Sequence, residues 1–347
     1  MERLVNWKSV EEMCRRIYTA IGLPDEDAAI VADNLIQAEL SGISSHGITR
    51  MDMYVKKLDS GLINKTGEIK ILADGPATLL VDGCNCMGMV AAVKAVRLGI
   101  AKAREAGATV VGVRNSNHFG TASYYTQMVA GEGMLGISMT NAQAHMAPWG
   151  AAQSFLGTNP LSFGLPTAGD PIVLDMATSV VARGKLLIAA EKGESIPLGW
   201  ALDADGNPTT DPSEAAKGSM LPIAGPKGYG LSMFIDLLSG LITGAGFGDH
   251  SLDNGTEYPG AANVGHFFII IDIARFIPYA LYEELVGKYI LALKDLPRAE
   301  GVPEIYLPGE IEQRKSCENK SGGLMIHEAV LDRIGELCAR FGIPCDL

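Results

Sequence analysis

The residues best suited to chemistry lie in the run Ser45-His46-Gly47-Ile48-Thr49-Arg50, with Tyr54 close behind. A histidine can exchange a proton near neutral pH. An arginine presents a planar fork that matches a carboxylate, and a tyrosine adds a hydroxyl. If a helix starts near Ser45, then His46, Arg50 and Tyr54 recur every four residues along one face. Together they could hold a 2-oxo acid and protonate its carbonyl oxygen as hydride arrives. The same spacing also fits a solvated helix start with Ser45 as cap, and spacing alone does not separate the two. A second cluster, Asn115-Ser116-Asn117-His118-Phe119-Gly120-Thr121, follows an expected strand and precedes an expected helix, where ligands gather and backbone amides point at anions. A polar turn with a satisfied histidine is the alternative. A third set is Gly157-Thr158-Asn159-Pro160 with Asp175-Met176-Ala177-Thr178-Ser179. A fourth is Gly225-Pro226-Lys227-Gly228-Tyr229-Gly230, where a lysine among glycines at a helix start suits a phosphate.

The positioning elements follow from periodicity and punctuation. Ser9-Val10-Glu11-Glu12 reads as a capping box for a first helix ending near Gly22. A second helix runs from the acidic Pro24-Asp25-Glu26-Asp27 to Gly42, and a third ends at Gly61. Beyond them strands and helices alternate: strands at 78–82, 109–113, 135–139, 172–175 and 267–272, and helices at 89–106, 124–131, 182–192 and 278–293. The stretch 229–243 reads as a buried helix, 195–222 as a polar excursion, and 326–339 as a last helix. The expected class is α/β with α+β character. The expected division is a helical substrate and dimerisation domain from 1–75 with 280–347, and an α/β domain from 76–279.

A formal net charge of -12 gives no basic stripe for nucleic acid. Positive charge for an anionic substrate must therefore be concentrated locally. The six cysteines show no paired metal spacing and read as reduced thiols. No apolar run reaches spanning length, so a cytoplasmic protein is expected. His327-Glu328 opens like a zinc helix, but Leu331 stands where the second histidine is needed, and no metal is expected. His145, His250 and His266 read as structural or solvated, and Lys185 as facing either the site or solvent. No strand-linked G-x-G-x-x-G occurs.

Seven segments together resemble the malate/L-lactate dehydrogenase family that is distinct from the Rossmann-type enzymes. They are SSHGITR (44–50), NSNHFG (115–120), GTNPLSFGLP (157–166), DMATS (175–179) with the VARGK that follows, GPKGYGLS (225–232) and LPGE (307–310), in family order. The resemblance implies an unusual NAD(P)-binding domain on a largely antiparallel or mixed sheet, a homodimer, and hydride transfer between NAD or NADP and a small 2-hydroxy or 2-oxo carboxylate. An alternative is reduction of a cyclic imine, or ureidoglycolate oxidation, on the same scaffold. It further implies Ser45 and His46 as relay serine and proton donor, Arg50 as carboxylate binder, and Tyr54 and Thr158 as substrate contacts. His118 matches the acid/base histidine of ureidoglycolate members. Residues implied along the cofactor are His118, Phe119, Gly120, Thr121, Ala122, Asn141, Met176, Ala177, Thr178, Lys227, Gly228, Pro308, Gly309, Glu310 and Arg314. The chain departs from the pattern at Lys185, where some members carry an acid, and at Ala142 beside Asn141, where ureidoglycolate members carry a serine.

Overall fold

In a computed structural model, which describes residues 1–250, 261–345 and 347, the two chain ends meet. Strand β1 (Glu2–Val5) pairs antiparallel with β12 (Leu324–His327), two short strands that the sequence pattern did not announce. Helix α1 (Trp7–Ile21) starts earlier than the expected Ser9 box. The Asn6 side chain accepts from the Lys8 and Ser9 amides and caps it, so Ser9 is already inside the helix. Helix α2 (Asp25–Leu40) carries Asp25, Glu26 and Asp27 in its first turn, as its dipole favours.

The expected third helix is interrupted. Ser44–His46 and Ile48–Arg50 form two separate 3-10 turns, and α3 spans only Met51–Asp59. Gly47 lies between the turns with φ -90° and ψ -149°, outside the helical region. His46 and Arg50 therefore do not share an α-helical face with Tyr54. Some other constraint must bring them together.

The middle of the chain builds a sheet. Its first elements are β2 (Lys70–Asp74), β3 (Thr78–Asp82), α4 (Gly88–Ala106), β4 (Ala108–Ser116), α5 (Ala122–Gly131) and β5 (Met134–Thr140). Then come β6 (Leu161–Leu165), β7 (Ile172–Met176) and α6 (Arg183–Lys192). The polar excursion is a small sheet of β8 (Ala201–Leu202), β9 (Pro208–Thr209) and β10 (Ser219–Met220), with α7 (Pro212–Lys217). It has its own apolar cluster, including Val181, Leu186, Ile196 and Met220. Helix α8 (Pro226–Asp236) continues into a π-helical segment, Leu237–Ile242. Last come β11 (Val264–Asp272), α9 (Tyr279–Lys294), α10 (Glu310–Gly322) and α11 (Glu328–Phe341). The expected last helix thus begins two residues late, because Ile326 belongs to β12.

Among the described residues the large sheet has seven strands in the order β2-β3-β4-β11-β5-β6-β7. Only β3 and β4 pair in parallel, and the other pairings are antiparallel. The mixed sheet expected from the resemblance is present. One expectation fails: the stretch 229–243 is not buried all round. Leu231, Phe234, Leu241 and Ile242 are exposed, Phe234 at 61%. No described helix is long and apolar enough to cross a membrane.

A continuous buried cluster joins α1, α2 and α3 to β3, α4, β4, α5 and the C-terminal β12 and α11. One buried ion pair crosses this packing. The Lys94 ammonium on α4 lies 2.6 Å from Asp27 Oδ1 on α2 and 2.9 Å from the Gly67 carbonyl. Asp27 is 3% exposed, and removing its carboxylate would leave the half-buried lysine without its counter-charge. Asp27→Ala should therefore cost about 2–3 kcal/mol, less than a fully buried pair because Lys94 keeps some water. Chemical denaturation with an unchanged m-value checks it, and an undiminished midpoint would refute it.

Candidate active site

Strand directions bring the chemistry to one edge. Because β11 runs antiparallel to both β4 and β5, those two strands point the same way, and β7 joins them through β6. The carboxyl ends of β3, β4, β5 and β7 thus share one edge of the sheet. After β4 comes Asn117 to Thr121, after β5 Asn141, and after β7 Ala177 and Thr178. The Thr158-Asn159-Pro160 segment leads into β6 at the same edge. Hydrogen bonds tie these loops together. The Thr158 carbonyl accepts from the Thr178 amide at 2.8 Å, and the Ser123 amide of α5 donates to Asp175 Oδ2 at 2.8 Å.

The asparagines of the second cluster hold its shape. Asn115 takes a left-handed φ of 50° and donates to Asp82 Oδ1 at 2.8 Å. Asn117 donates to the Cys86 carbonyl at 2.8 Å and to Asn85 Oδ1 at 3.0 Å. The α4 start closes tightly on this loop, since a Cβ at Gly88 would lie 2.0 Å from the Asn117 carbonyl. Beneath it, buried His266 contacts Thr140 Oγ1 and Ser116 Oγ, each at 2.8 Å. The Phe119 ring stacks on His266 with centroids 4.6 Å apart. Phe119 is therefore a core side chain, and His266 is structural as expected. What the loop presents outward is His118.

His118 meets the helical layer directly. Its Nδ1 lies 2.6 Å from the Tyr54 hydroxyl and accepts from the Gly120 amide at 3.4 Å. An amide can only donate, so Nδ1 carries the lone pair and the neutral ring holds its proton on Nε2. Tyr54, 1% exposed, then donates its hydroxyl proton to His118. The His46 ring stacks on His118 with centroids 5.5 Å apart, and His46 Nδ1 lies 3.0 Å from Ser45 Oγ. Arg50 Nε donates to the Ser45 carbonyl at 2.7 Å, which turns the guanidinium back toward the same turn.

Burial sets the protonation states. Desolvation, then the Arg50 charge, lowers His46 to about 4. Desolvation, then the charges of His46, Arg50 and Lys57, holds His118 well below its ordinary value. Both imidazoles are therefore neutral near pH 7. Lys57, one turn past Tyr54 and 7% exposed, is lowered to about 8 by burial and by Arg50. Sequence reasoning missed it, although its spacing of seven from Arg50 was visible.

Other expected residues fall into two groups. Met176, Ala177, Thr121 and Ala122 line the same edge, whereas the Asn141 side chain is committed to the Gly246 carbonyl and the Gly265 amide. Thr178 Oγ1 likewise donates to the Thr158 carbonyl at 3.0 Å. The stretch from Pro308 lies along the outer side of β7, where the Val173 amide donates to the Pro308 carbonyl at 3.0 Å. There Arg314 pairs with Glu304 and Glu310, and Glu310 with Lys294, so these side chains neutralise one another. Lys185 is exposed on α6. The side chain of His250 lies outside the described residues.

A dinucleotide fits this edge on one further observation. Helix α8 begins at Gly225 without a side-chain cap, and its end is anchored here by the Ile223 amide on the Thr178 carbonyl at 2.9 Å. The uncapped amides of Lys227 and Gly228 and the exposed Lys227 ammonium are groups that could hold a phosphate. Among the described residues no group of His, Cys, Asp and Glu could hold a metal ion.

Known proteins resemble this chain over nearly its whole length. The family model described as malate/L-lactate dehydrogenase matches residues 5–335. A malate dehydrogenase of Pyrococcus abyssi is 42% identical over 336 residues, covering 94% of this chain and 92% of its own. The solved sulfolactate dehydrogenase of Methanocaldococcus jannaschii superposes with a TM-score of 0.93 at 38% identity, over 99% of both chains. A Δ1-piperideine-2-carboxylate reductase structure from Pseudomonas syringae gives 0.85 at 34% identity, over 96% of this chain and 99% of the other. With the family model over nearly the whole chain and relatives this similar over more than nine-tenths of it, the chain belongs to the malate/L-lactate dehydrogenase family.

Proposed function

We propose that this chain interconverts a small 2-hydroxy carboxylate and its 2-oxo acid, with Arg50 on the carboxylate and His46 and His118 on the C2 oxygen. Family membership makes it an NAD(P)-dependent oxidoreductase of 2-hydroxy acids. The observation that carries the residue roles is the pair of neutral imidazoles held face to face beside Arg50, one of them fixed by Tyr54. The bound nicotinamide supplies the acceptor or donor of the C2 hydride. His118, with its proton on Nε2, donates to the C2 oxygen and polarises it. His46, in the tautomer whose Nδ1–H donates to Ser45 Oγ, would present its Nε2 lone pair to take the hydroxyl proton in oxidation. In reduction the same nitrogen returns it. Holding both reactants in register supplies most of the acceleration, and the proton transfer about a hundredfold or more. Tyr54 acts through His118, and Thr158 and residues Met176 to Thr178 shape the wall between substrate and dinucleotide. Lys227, Gly228 and the α5 start would hold its phosphates.

A panel of pyruvate, oxaloacetate, sulfopyruvate, the oxidation product of ureidoglycolate and piperideine-2-carboxylate, run with NADH and NADPH, tests the reaction class. Turnover of a 2-oxo acid is expected, and turnover of the cyclic imine alone would overturn the proposal. Arg50→Lys should raise KM for the oxo acid about ten- to a hundredfold while leaving cofactor affinity unchanged, because a point charge loses one of two charge-assisted bonds.

The pH profile has a definite sign. A base lowered by burial stays deprotonated far into the acid range, so kcat/KM for hydroxy-acid oxidation should be flat near neutrality. It should fall only below the ordinary histidine value of about 6.5, toward 4. An acid limb above that value would count against His46 as the base.

The exposed Leu231, Phe234, Leu241 and Ile242 also support a homodimer, with a second copy covering the face that would otherwise be wet. Phe234→Glu should shift sedimentation from dimer to monomer. Unchanged sedimentation would place the interface elsewhere.

A further inference from the structure

The two 3-10 turns carrying His46 and Arg50 are poorly able to hold themselves. Such turns have strained hydrogen-bond geometry and no long ladder, and here a glycine separates them. Yet the His46 ring sits in stacking register with His118, which belongs to a distant strand end. One side chain spans both turns. Glu39, in the last turn of α2 and 6% exposed, accepts from Ser44 Oγ through Oε2 at 2.8 Å. Its other oxygen, Oε1, accepts from the Ile48 amide at 2.9 Å. The two donors lie two residues before and two residues after His46. The carboxylate passes so close beneath the turn that a Cβ at position 47 would lie 2.1 Å from Oε1. Gly47 is thus required by the approach of Glu39.

We propose that Glu39 is a positioning residue that pins both sides of the His46 turn and so holds His46 and Arg50 against His118. Glu39 touches neither substrate nor cofactor in this role. It acts through two hydrogen bonds whose loss would leave the Ile48 amide, on a buried residue, without a partner. The catalytic consequence rests on the roles proposed above for His46 and Arg50, whereas the positioning itself does not.

Glutamine can keep both bonds. Its carbonyl oxygen accepts from the Ile48 amide, and its NH2 donates to Ser44 Oγ, because a hydroxyl can reverse its sense. Alanine keeps neither. Glu39→Ala should therefore lower kcat/KM for the oxo acid about a hundredfold, as expected for displacement of a catalytic group by about 1 Å. Glu39→Gln should stay within about threefold, and fluorescence titration with NADH or NADPH should give unchanged affinity in both. Imidazole NMR gives a readout independent of turnover, with the His46 signal assigned by its loss in His46→Ala. His46 faces Arg50, His118 and Ser45, and release from that setting should raise its titration from about 4 toward 6.5 in Glu39→Ala. In Glu39→Gln it should stay low. Gly47→Ala should cost activity in the native background and nothing more in Glu39→Ala, since the clash and the contact are the same. An unmoved His46 titration in Glu39→Ala would overturn the proposal, and so would a parallel collapse of cofactor affinity. A shifted titration with unchanged turnover would uphold Glu39 as the pin and overturn His46 as the base.

Discussion

Strand β11 lies between β4 and β5 and pairs antiparallel with both, through Ile269 opposite Val110 on one side and Ile137 on the other. With β11 inserted, β4 and β5 point the same way, linked by the α5 crossover but not paired with each other. The loops after β4, β5 and β7 consequently emerge along one edge. A Rossmann sheet reaches the same end with parallel strands and a glycine fingerprint. Here the edge is built from antiparallel partners, and the uncapped helix start available to an anion is that of α8. If β11 slipped by one residue, His266 would leave the core and the Phe119 stack beneath His118 would be lost.

Electrostatics follow from that placement. The chain is acidic overall, yet Arg50, Lys57 and the two histidines converge on one spot. Burial disfavours an added proton on either imidazole, so both remain neutral beside the Arg50 guanidinium. Tyr54 contributes by occupying Nδ1 of His118, which leaves the ring's proton on Nε2. A tyrosine contacting substrate and a tyrosine orienting its histidine have the same spacing in sequence. Only the 2.6 Å contact between Tyr54 and His118 distinguishes them.

Legibility varied with the range of the forces involved. Helix α4 was readable almost to the residue, because its apolar period is long and Gly107 closes it in the left-handed region. The strands at 78–82 and 172–176 were readable from short β-branched runs. By contrast β1, β2, β6 and β12 escaped notice, since short strands acquire their conformation from a partner that may lie hundreds of residues away, as Glu2 opposite His327 does. The capping of α1 was misplaced by one turn, because Ser9 and Asn6 are both good caps and local preference does not choose between them. The stretch after Tyr229 looked buried because apolar residues cover it all round. Its outer face is nevertheless open in the single chain, which periodicity along the chain does not reveal.

The amino-acid sequence by itself determined the residue types at the site, the absence of a glycine fingerprint and the family order of the motifs. These rest on local chemistry and linear spacing. Tertiary structure alone decided how His46, Arg50 and Tyr54 come together. They share no helix: both 3-10 turns are hydrogen-bonded to Glu39, while Tyr54 reaches a histidine sixty-four residues away. It also decided that Arg314 and Glu310 neutralise each other, that Phe119 faces the core, and that Gly47 must lack a side chain. Each of these depends on a neighbour brought close only by packing, and no periodicity along the chain records which neighbour that will be.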